Sequence, residues 1–307
     1  MMRYAVPFVG LVVSSLVATA PLARAGEGDK PAAAPTVEAA LKLAGEGKFS
    51  DALDAAKAVP DTAATYLKAR YVVGEIELLL GDPVAAKEAF ETVVAKKPTA
   101  AALAGVGRAL LASGDPAGAV APLEKAVAAD AKTARYRAWL GIARVRSEAT
   151  LEGRKDLEAA SKLDAADVDV VRAMVEDRLL ADDGAGADKA VAAFIKAKKD
   201  HPFGPFLRGL VLDKTGKFDE AIAAYQKAIA LDPGFLDARR NLAIVCVTQN
   251  PGYKDEKRTK IALEQLAAYV KLGGREPSLK RLAEELPGYL KGGTTPPADG
   301  EPGHPGK

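Results

Sequence analysis

"GKFDEAIAAYQKAIALDP", from Gly216 to Pro233, carries small and apolar residues three and four apart between a leading glycine and a closing Asp-Pro. That spacing places them on one face of a helix. Whether this is a lone amphipathic helix or one copy of a repeated unit decides the fold. The same length and pattern recur in GDPVAAKEAFETVVAKKP (81–98) and GDPAGAVAPLEKAVAADA (114–131). Weaker copies begin at Gly47, Glu148 and Ala185, and a degenerate seventh begins at Lys257. The first six starts thus recur about every 34 residues, with the step into Ala185 longer and the step out of it shorter. The stretch is one member of an array.

The register inside each copy carries the packing argument. Five residues after the start stands a small side chain: Ala52, Ala86, Ala119, Gly153, Ala190, Ala221 and Ala262. Four further on comes a large apolar one, Phe90, Leu123, Leu157, Phe194, Tyr225 or Leu266, with Ala56 the exception. The small residue permits a close helix crossing, and the large one fills the groove beside it. Each copy is only half of a unit. Seven residues before four of the starts lies a glycine inside a second helical pattern: Gly74, Gly107, Gly141 and Gly209. Arg178 stands at that place in the fifth copy, and Leu242 takes the glycine's place in the stretch after Pro233. Glycine inside a helix costs about 1 kcal/mol relative to alanine, so its recurrence points to close backbone approach. The unit is helix, turn at Gly-Lys-Phe or Gly-Asp-Pro, helix, and Pro98, Pro202 and Pro233 suit the start of the next helix. The composition agrees: 49% hydrophobic but only 6% aromatic suits close-packed helices better than a bulky sheet core.

This helical hairpin of about 34 residues with its small-large-small face resembles the tetratricopeptide repeat family. The resemblance runs over 36–274, best in 71–98, 104–131 and 207–233 and poorest at 166–202. It implies an all-α fold, an α-solenoid of stacked hairpins. In PSLKRLAEELPGYL, Leu279, Leu282, Leu286 and Leu290 share one face, which predicts a capping helix within 275–291 that covers the last apolar surface. The glycine- and proline-rich stretches 26–35 and 292–307 read as a linker and a disordered tail.

The segment 1–25 reads as a removable export signal. Arg3 precedes an uncharged apolar run from Tyr4 to Ala20, and Ala23-Arg24-Ala25 has the small-x-small form of a cleavage site. The expected compartment is periplasmic or extracellular, the alternative being an uncleaved membrane tether close to the minimum spanning length. The chain has 43 Lys+Arg against 41 Asp+Glu, and the leader holds two of the basic residues, leaving 41 against 41 in the mature part. Net charge therefore gives no reason to expect nucleic-acid binding. Cys246 is the only cysteine; it excludes an internal disulfide and, in the apolar run NLAIVCV, reads as a buried small residue.

Chemistry-bearing patterns are scarce. The two histidines, His201 and His304, lie in no metal-ligating cluster, and no P-loop, G-x-S-x-G or H-E-x-x-H occurs. Neither a cofactor nor a metal is expected, and the expected role is a non-catalytic scaffold for protein or peptide segments. The contrasting reading is a repeat subunit that positions substrate for an envelope enzyme or a polysaccharide- or peptidoglycan-related complex. The family resemblance implies that the concave wall is lined six and three residues before the repeat glycine and one after it. Among the residues so placed, Lys68, Tyr71, Glu75, Arg108 and Arg135 come from the first units, with Trp139 directed to the same groove. Arg172, Phe203, Phe206 and Arg239 come from the later ones. Five basic side chains against one acid in a neutral mature chain suggest a groove for an acidic or C-terminal segment.

Overall fold

The computed structural model describes residues 36–250 and 254–290, and every regular element among them is a helix. The leader, the linker and the C-terminal tail lie outside the described residues. Two compact units divide at Asp156 and Leu157.

In the first unit the hairpins are α1 (Val37–Gly45) with α2 (Phe49–Lys57), α3 (Tyr66–Leu80) with α4 (Pro83–Lys96), and α5 (Ala100–Ala112) with α6 (Pro116–Ala129). α7 (Ala134–Arg146) follows, and α8 (Thr150–Leu163) runs through the division. Side-chain caps set the starts. The Thr36 hydroxyl accepts from the Ala39 N–H at 3.0 Å, and the Asp82 and Asp115 carboxylates accept from the Ala85 and Gly118 N–H groups at 3.0 and 2.8 Å. Each satisfies a backbone donor that the first helical turn leaves without a partner. Pro83 and Pro116 occupy the first helical position, where a missing N–H costs nothing. Of the prolines expected there, Pro202 is the residue capping a helix, whereas Pro98 and Pro233 lie in the preceding loops.

The second unit continues with α9 (Val168–Leu180), α10 (Gly184–Ala197), α11 (Phe203–Lys214), α12 (Phe218–Leu231), α13 (Leu236–Thr248) and α14 (Glu256–Lys271). It ends with α15 (Pro277–Leu290), which packs on α14 with Leu279 and Leu286 buried, the arrangement that covers an open apolar end.

The turn between the helices of a hairpin fixes the true register. Its residue is left-handed at Gly47, Gly81, Gly114, Glu148, Asp182 and Gly216, with φ between +60° and +83°. These turns recur about every 34 residues with no irregular step at the fifth copy. The fifth copy therefore begins at Asp182, not Ala185. Its small and large residues are Ala187 and Val191, both fully buried, whereas Ala190 is half-buried and Ala197 exposed. Gln249 caps the C-terminus of α13 as Thr215 caps that of α11. Ala243 thus replaces Leu242 at the glycine place of the last hairpin, and Val175 replaces Arg178 in the fifth.

Elsewhere the expected face is the buried one. Ala52, Ala86, Ala119, Ala221 and Ala262 are fully buried, as are Phe90, Leu123, Tyr225 and Leu266. A Cβ on Gly74 would meet the Phe90 ring at 2.7 Å, and one on Gly209 would meet Tyr225 at 2.5 Å. The helical glycine of one helix is therefore the seat of the large side chain of its partner helix, which is why a residue that weakens an isolated helix is kept there.

Candidate interaction surface

In the first unit α3, α5 and α7 are successive neighbours, and their facing positions form one wall. Ala101, Ala104 and Ala138 form its shallow apolar floor, Ala101 half-buried and the other two buried. At the centre the Arg108 guanidinium on α5 donates from Nη1 to Glu75 Oε1 on α3 at 2.7 Å, with the two side chains only 11% and 5% exposed. The same guanidinium lies over the Trp139 indole of α7, 4.7 Å from the ring centroid, an arrangement the negative ring face favours. Tyr136 sits beside Trp139 at 5.9 Å between centroids, and Tyr71 meets Phe90 edge-on at 5.4 Å. Burial, reinforced by the Glu75 charge, pushes the Tyr71 phenol well above its ordinary pKa, so it presents a neutral hydroxyl. Lys68 is exposed and pairs loosely with Glu38 at 3.4 Å, while Arg135 is half-buried on α7. The structure thus brings Tyr71, Glu75, Arg108 and Trp139 together, with Lys68 and Arg135 on the outer row of the same wall.

In the second unit the equivalent wall is filled. Phe203 and Phe206 of α11 are buried and pack at a tilt against Phe235, both centroids 4.9 Å from that of its ring. Arg172 of α9 is buried and reaches Asp237 of α13, Nη2 to Oδ2 at 3.7 Å, across the hairpin between them. Asp237 also faces Arg240 at 4.0 Å, and Arg240 faces Glu276 at 3.7 Å. Desolvation lowers the Arg172 pKa and raises that of Asp237 despite their mutual attraction, the expected balance for charges withdrawn from water. Arg239 points elsewhere: its Nε and Nη2 donate to the Pro233 carbonyl at 3.0 and 2.7 Å and its Nη1 to Gln265 Oε1 at 2.7 Å. Arg240 occupies the wall position expected for Arg239, because the helix register is one residue later than Leu242 suggests.

The sequences at 74–134 and 206–235 match profiles described as tetratricopeptide repeat, one match falling in each unit. The chain is a tetratricopeptide-repeat protein. No curated protein matches it in sequence. Among solved structures it is similar to yeast Tom70, with a TM-score of 0.56 at 13% identity over 92% of this chain and 63% of that one. A tetratricopeptide repeat protein from Parabacteroides merdae gives 0.52 at 11% identity over 81% and 96%. The Cut9–Hcn1 hetero-tetramer of the APC/C gives 0.50 at 16% over 80% of this chain, which spans only 48% of the matched one.

As a tetratricopeptide-repeat protein the chain has wall positions set by the corrected register, and this changes the charge account. The fifth hairpin contributes Asp169, Arg172 and Glu176, where Arg172, Val175 and Leu179 were expected, and the last contributes Asp237 and Arg240. Counted over both units, five basic residues (Lys68, Arg108, Arg135, Arg172, Arg240) then stand against four acids (Glu75, Asp169, Glu176, Asp237) rather than one. The basic excess survives only in the first unit, three against one. The missed acids were visible as an echo, one repeat on, of wall positions in neighbouring copies, once the turn at Asp182 is placed.

Among the described residues, Cys246 and His201 lie within the repeat packing. Cys246 is buried and burial pushes its thiol up to about 11, so it is a protonated core residue at neutral pH. His201 Nδ1 accepts from the Phe203 N–H at 3.3 Å, and its ring lies between those of Phe194 and Phe203. Among the described residues no group of three or more His, Cys, Asp or Glu side chains is placed to hold a metal, and no helix is long and apolar enough to cross a membrane.

Proposed function

We propose that this protein is an exported, non-catalytic scaffold that holds an extended segment of a partner protein along the α3–α5–α7 wall. The fold is that of a protein–protein interaction scaffold. What points to this wall is the contrast between units: alanines, half-buried aromatics and the outer cations Lys68 and Arg135 surround the single Glu75–Arg108 pair in the first, whereas buried phenylalanines and a chain of internal ion pairs fill the second. Apolar floor flanked by cations is the pattern that an acidic, extended segment fits. Export rests on the leader: mature protein is expected to begin at Gly26 and to be soluble, and Met1 on membrane-bound material would overturn that part.

A photo-crosslinking residue in place of Ala101, on the wall, is compared with one in place of Lys125, exposed on α6. The scaffold reading expects one discrete partner segment to attach from position 101 in the native compartment and not from 125. Attachment from 125 alone, or none from either, reassigns or removes the surface. Intrinsic turnover by homogeneous protein would overturn the non-catalytic part.

A further inference from the structure

Glu75 changes what the wall of the first unit can accept. Arginine recognises a ligand carboxylate by a charge-assisted hydrogen bond. Here Arg108 already donates one to the internal carboxylate of Glu75 at 2.7 Å, in a setting where both side chains are nearly withdrawn from water. One face of the guanidinium is further taken up by the Trp139 indole. The centre of the wall is thus close to neutral and aromatic, and a second carboxylate arriving there meets the Glu75 charge. The other two wall cations, Lys68, whose 3.4 Å pair with Glu38 is exposed on both sides and weak, and Arg135, occupy the same row, first on α3 and then on α7, with Ala101 of α5 between them. Neighbouring helix axes lie about 8–10 Å apart, so these two positions are separated by roughly 16–20 Å. An extended chain covers that distance in about six residues.

We infer that Glu75 is a specificity-determining residue, and that the wall takes an extended segment with acidic residues about five positions apart and an apolar or aromatic residue between them. The terminal acids meet Lys68 and Arg135. The central side chain rests on the floor of Ala101, Ala104 and Ala138 against the half-exposed edges of Trp139 and Tyr136. This deepens the scaffold reading and rests on it.

Three acetylated and amidated hexapeptides test it by titration against the full mature chain at low salt. The first has glutamate at both ends, phenylalanine at the third position and proline elsewhere, because proline keeps the backbone extended at little entropic cost. The second replaces the terminal glutamates by glutamine. The third replaces the central phenylalanine by glutamate. The first is expected to bind about five- to tenfold more tightly than the second, the loss that two partly exposed ion pairs account for. It is also expected to bind at least about fivefold more tightly than the third.

Glu75→Gln removes the carboxylate charge beside Arg108, so it should selectively improve the third peptide, narrowing that gap. The double variant Glu75→Gln/Arg108→Gln makes the centre neutral again and should restore the wild-type ranking, with helix content and melting midpoint reporting whether each variant folds. An unchanged ranking in folded Glu75→Gln, equal affinity of the first and third peptides for the wild type, or no binding of any peptide overturns the inference. Should the single variant not fold, Arg108→Gln decides it: leaving the Glu75 charge without that cation should widen the gap between the first and third peptides, and an unchanged gap overturns the inference. Crosslinking from position 101 without peptide discrimination would leave the scaffold reading standing and remove this one.

Discussion

Asp182 occupies the left-handed backbone region at φ +60°, and Gly216, one repeat later, holds the equivalent turn at φ +78°. A Cβ at Gly216 would meet nothing within 4 Å, so any penalty for a side chain there is purely one of backbone conformation. Gly216→Ala should therefore cost about 1–2 kcal/mol in urea unfolding, the penalty of a left-handed L-residue. Asp182→Gly should be neutral or stabilise by up to about 1 kcal/mol, since aspartate tolerates the region better than alanine but less well than glycine. A destabilising Asp182→Gly would mean that the carboxylate has a further role at the turn.

The corrected register is tested separately by two alanines in one helix. Ala187 is fully buried at the crossing of α10, whereas Ala190 is only half-buried. Ala187→Leu should overpack the crossing and cost about 1–3 kcal/mol, as should Ala221→Leu in the next hairpin. Ala190→Leu should shift stability by about 0.5 kcal/mol or less. Denaturant midpoints in the reverse order would restore the start at Ala185.

That contrast also explains what the sequence left illegible. Where glycine marks both the turn and the helix seat, as at Gly74 with Gly81 and Gly209 with Gly216, register follows directly from residue type. In the fifth copy Asp182 takes the turn and Val175 takes the seat, so neither marker appears. Sliding an alanine-rich helix by three residues rotates its face by only about 60°, and AGADKAVAAF reads almost equally well either way. The wall suffered more than the core from that slide. Ala190 and Ala187 are chemically alike, but Val175 and Leu179 are not Asp169 and Glu176, and the apparent basic excess was built on the difference. The Glu75–Arg108–Trp139 contact was half legible: all three positions were assigned to the wall, but that the first neutralises the second depends on side-chain geometry between hairpins.

His201 gives a pH dependence with a definite sign. Burial among Phe194 and Phe203, assisted by the nearby Lys198 and opposed by Asp232, lowers its pKa below the usual 6.5. The unfolded chain therefore binds the proton first as pH falls. The stabilisation is fully present above about pH 6.5 and is lost as pH drops toward the folded value. Between about pH 7.5 and 5.5 the wild type should lose more stability than His201→Gln, which has no proton to take up there. Parallel pH profiles of the two melting midpoints would remove His201 as the cause.

Arg172 and Arg135 occupy comparable first-helix walls in their own units, yet the structure gives them opposite consequences. Arg172 is buried, with its guanidinium directed to Asp237 at 3.7 Å, so Arg172→Ala leaves a buried carboxylate with less compensation. Such half-removed pairs cost about 3 kcal/mol or more, whereas replacing both partners by apolar residues of similar size is often tolerated. Arg172→Ala should therefore lower stability by that order, and because Asp237 also faces the buried Arg240, Arg172→Met/Asp237→Leu should recover only part of it. Arg135 is only half-buried, and Arg135→Ala should cost about 1 kcal/mol or less in stability. Its effect belongs instead on binding: the glutamate-ended peptide should weaken toward the glutamine-ended one, and its remaining salt dependence should fall. Arg172→Ala, measured below its own unfolding transition, should leave that affinity unchanged. Loss of peptide binding in folded Arg172→Ala, with none in Arg135→Ala, would move recognition to the second unit and overturn the division of roles between the two walls.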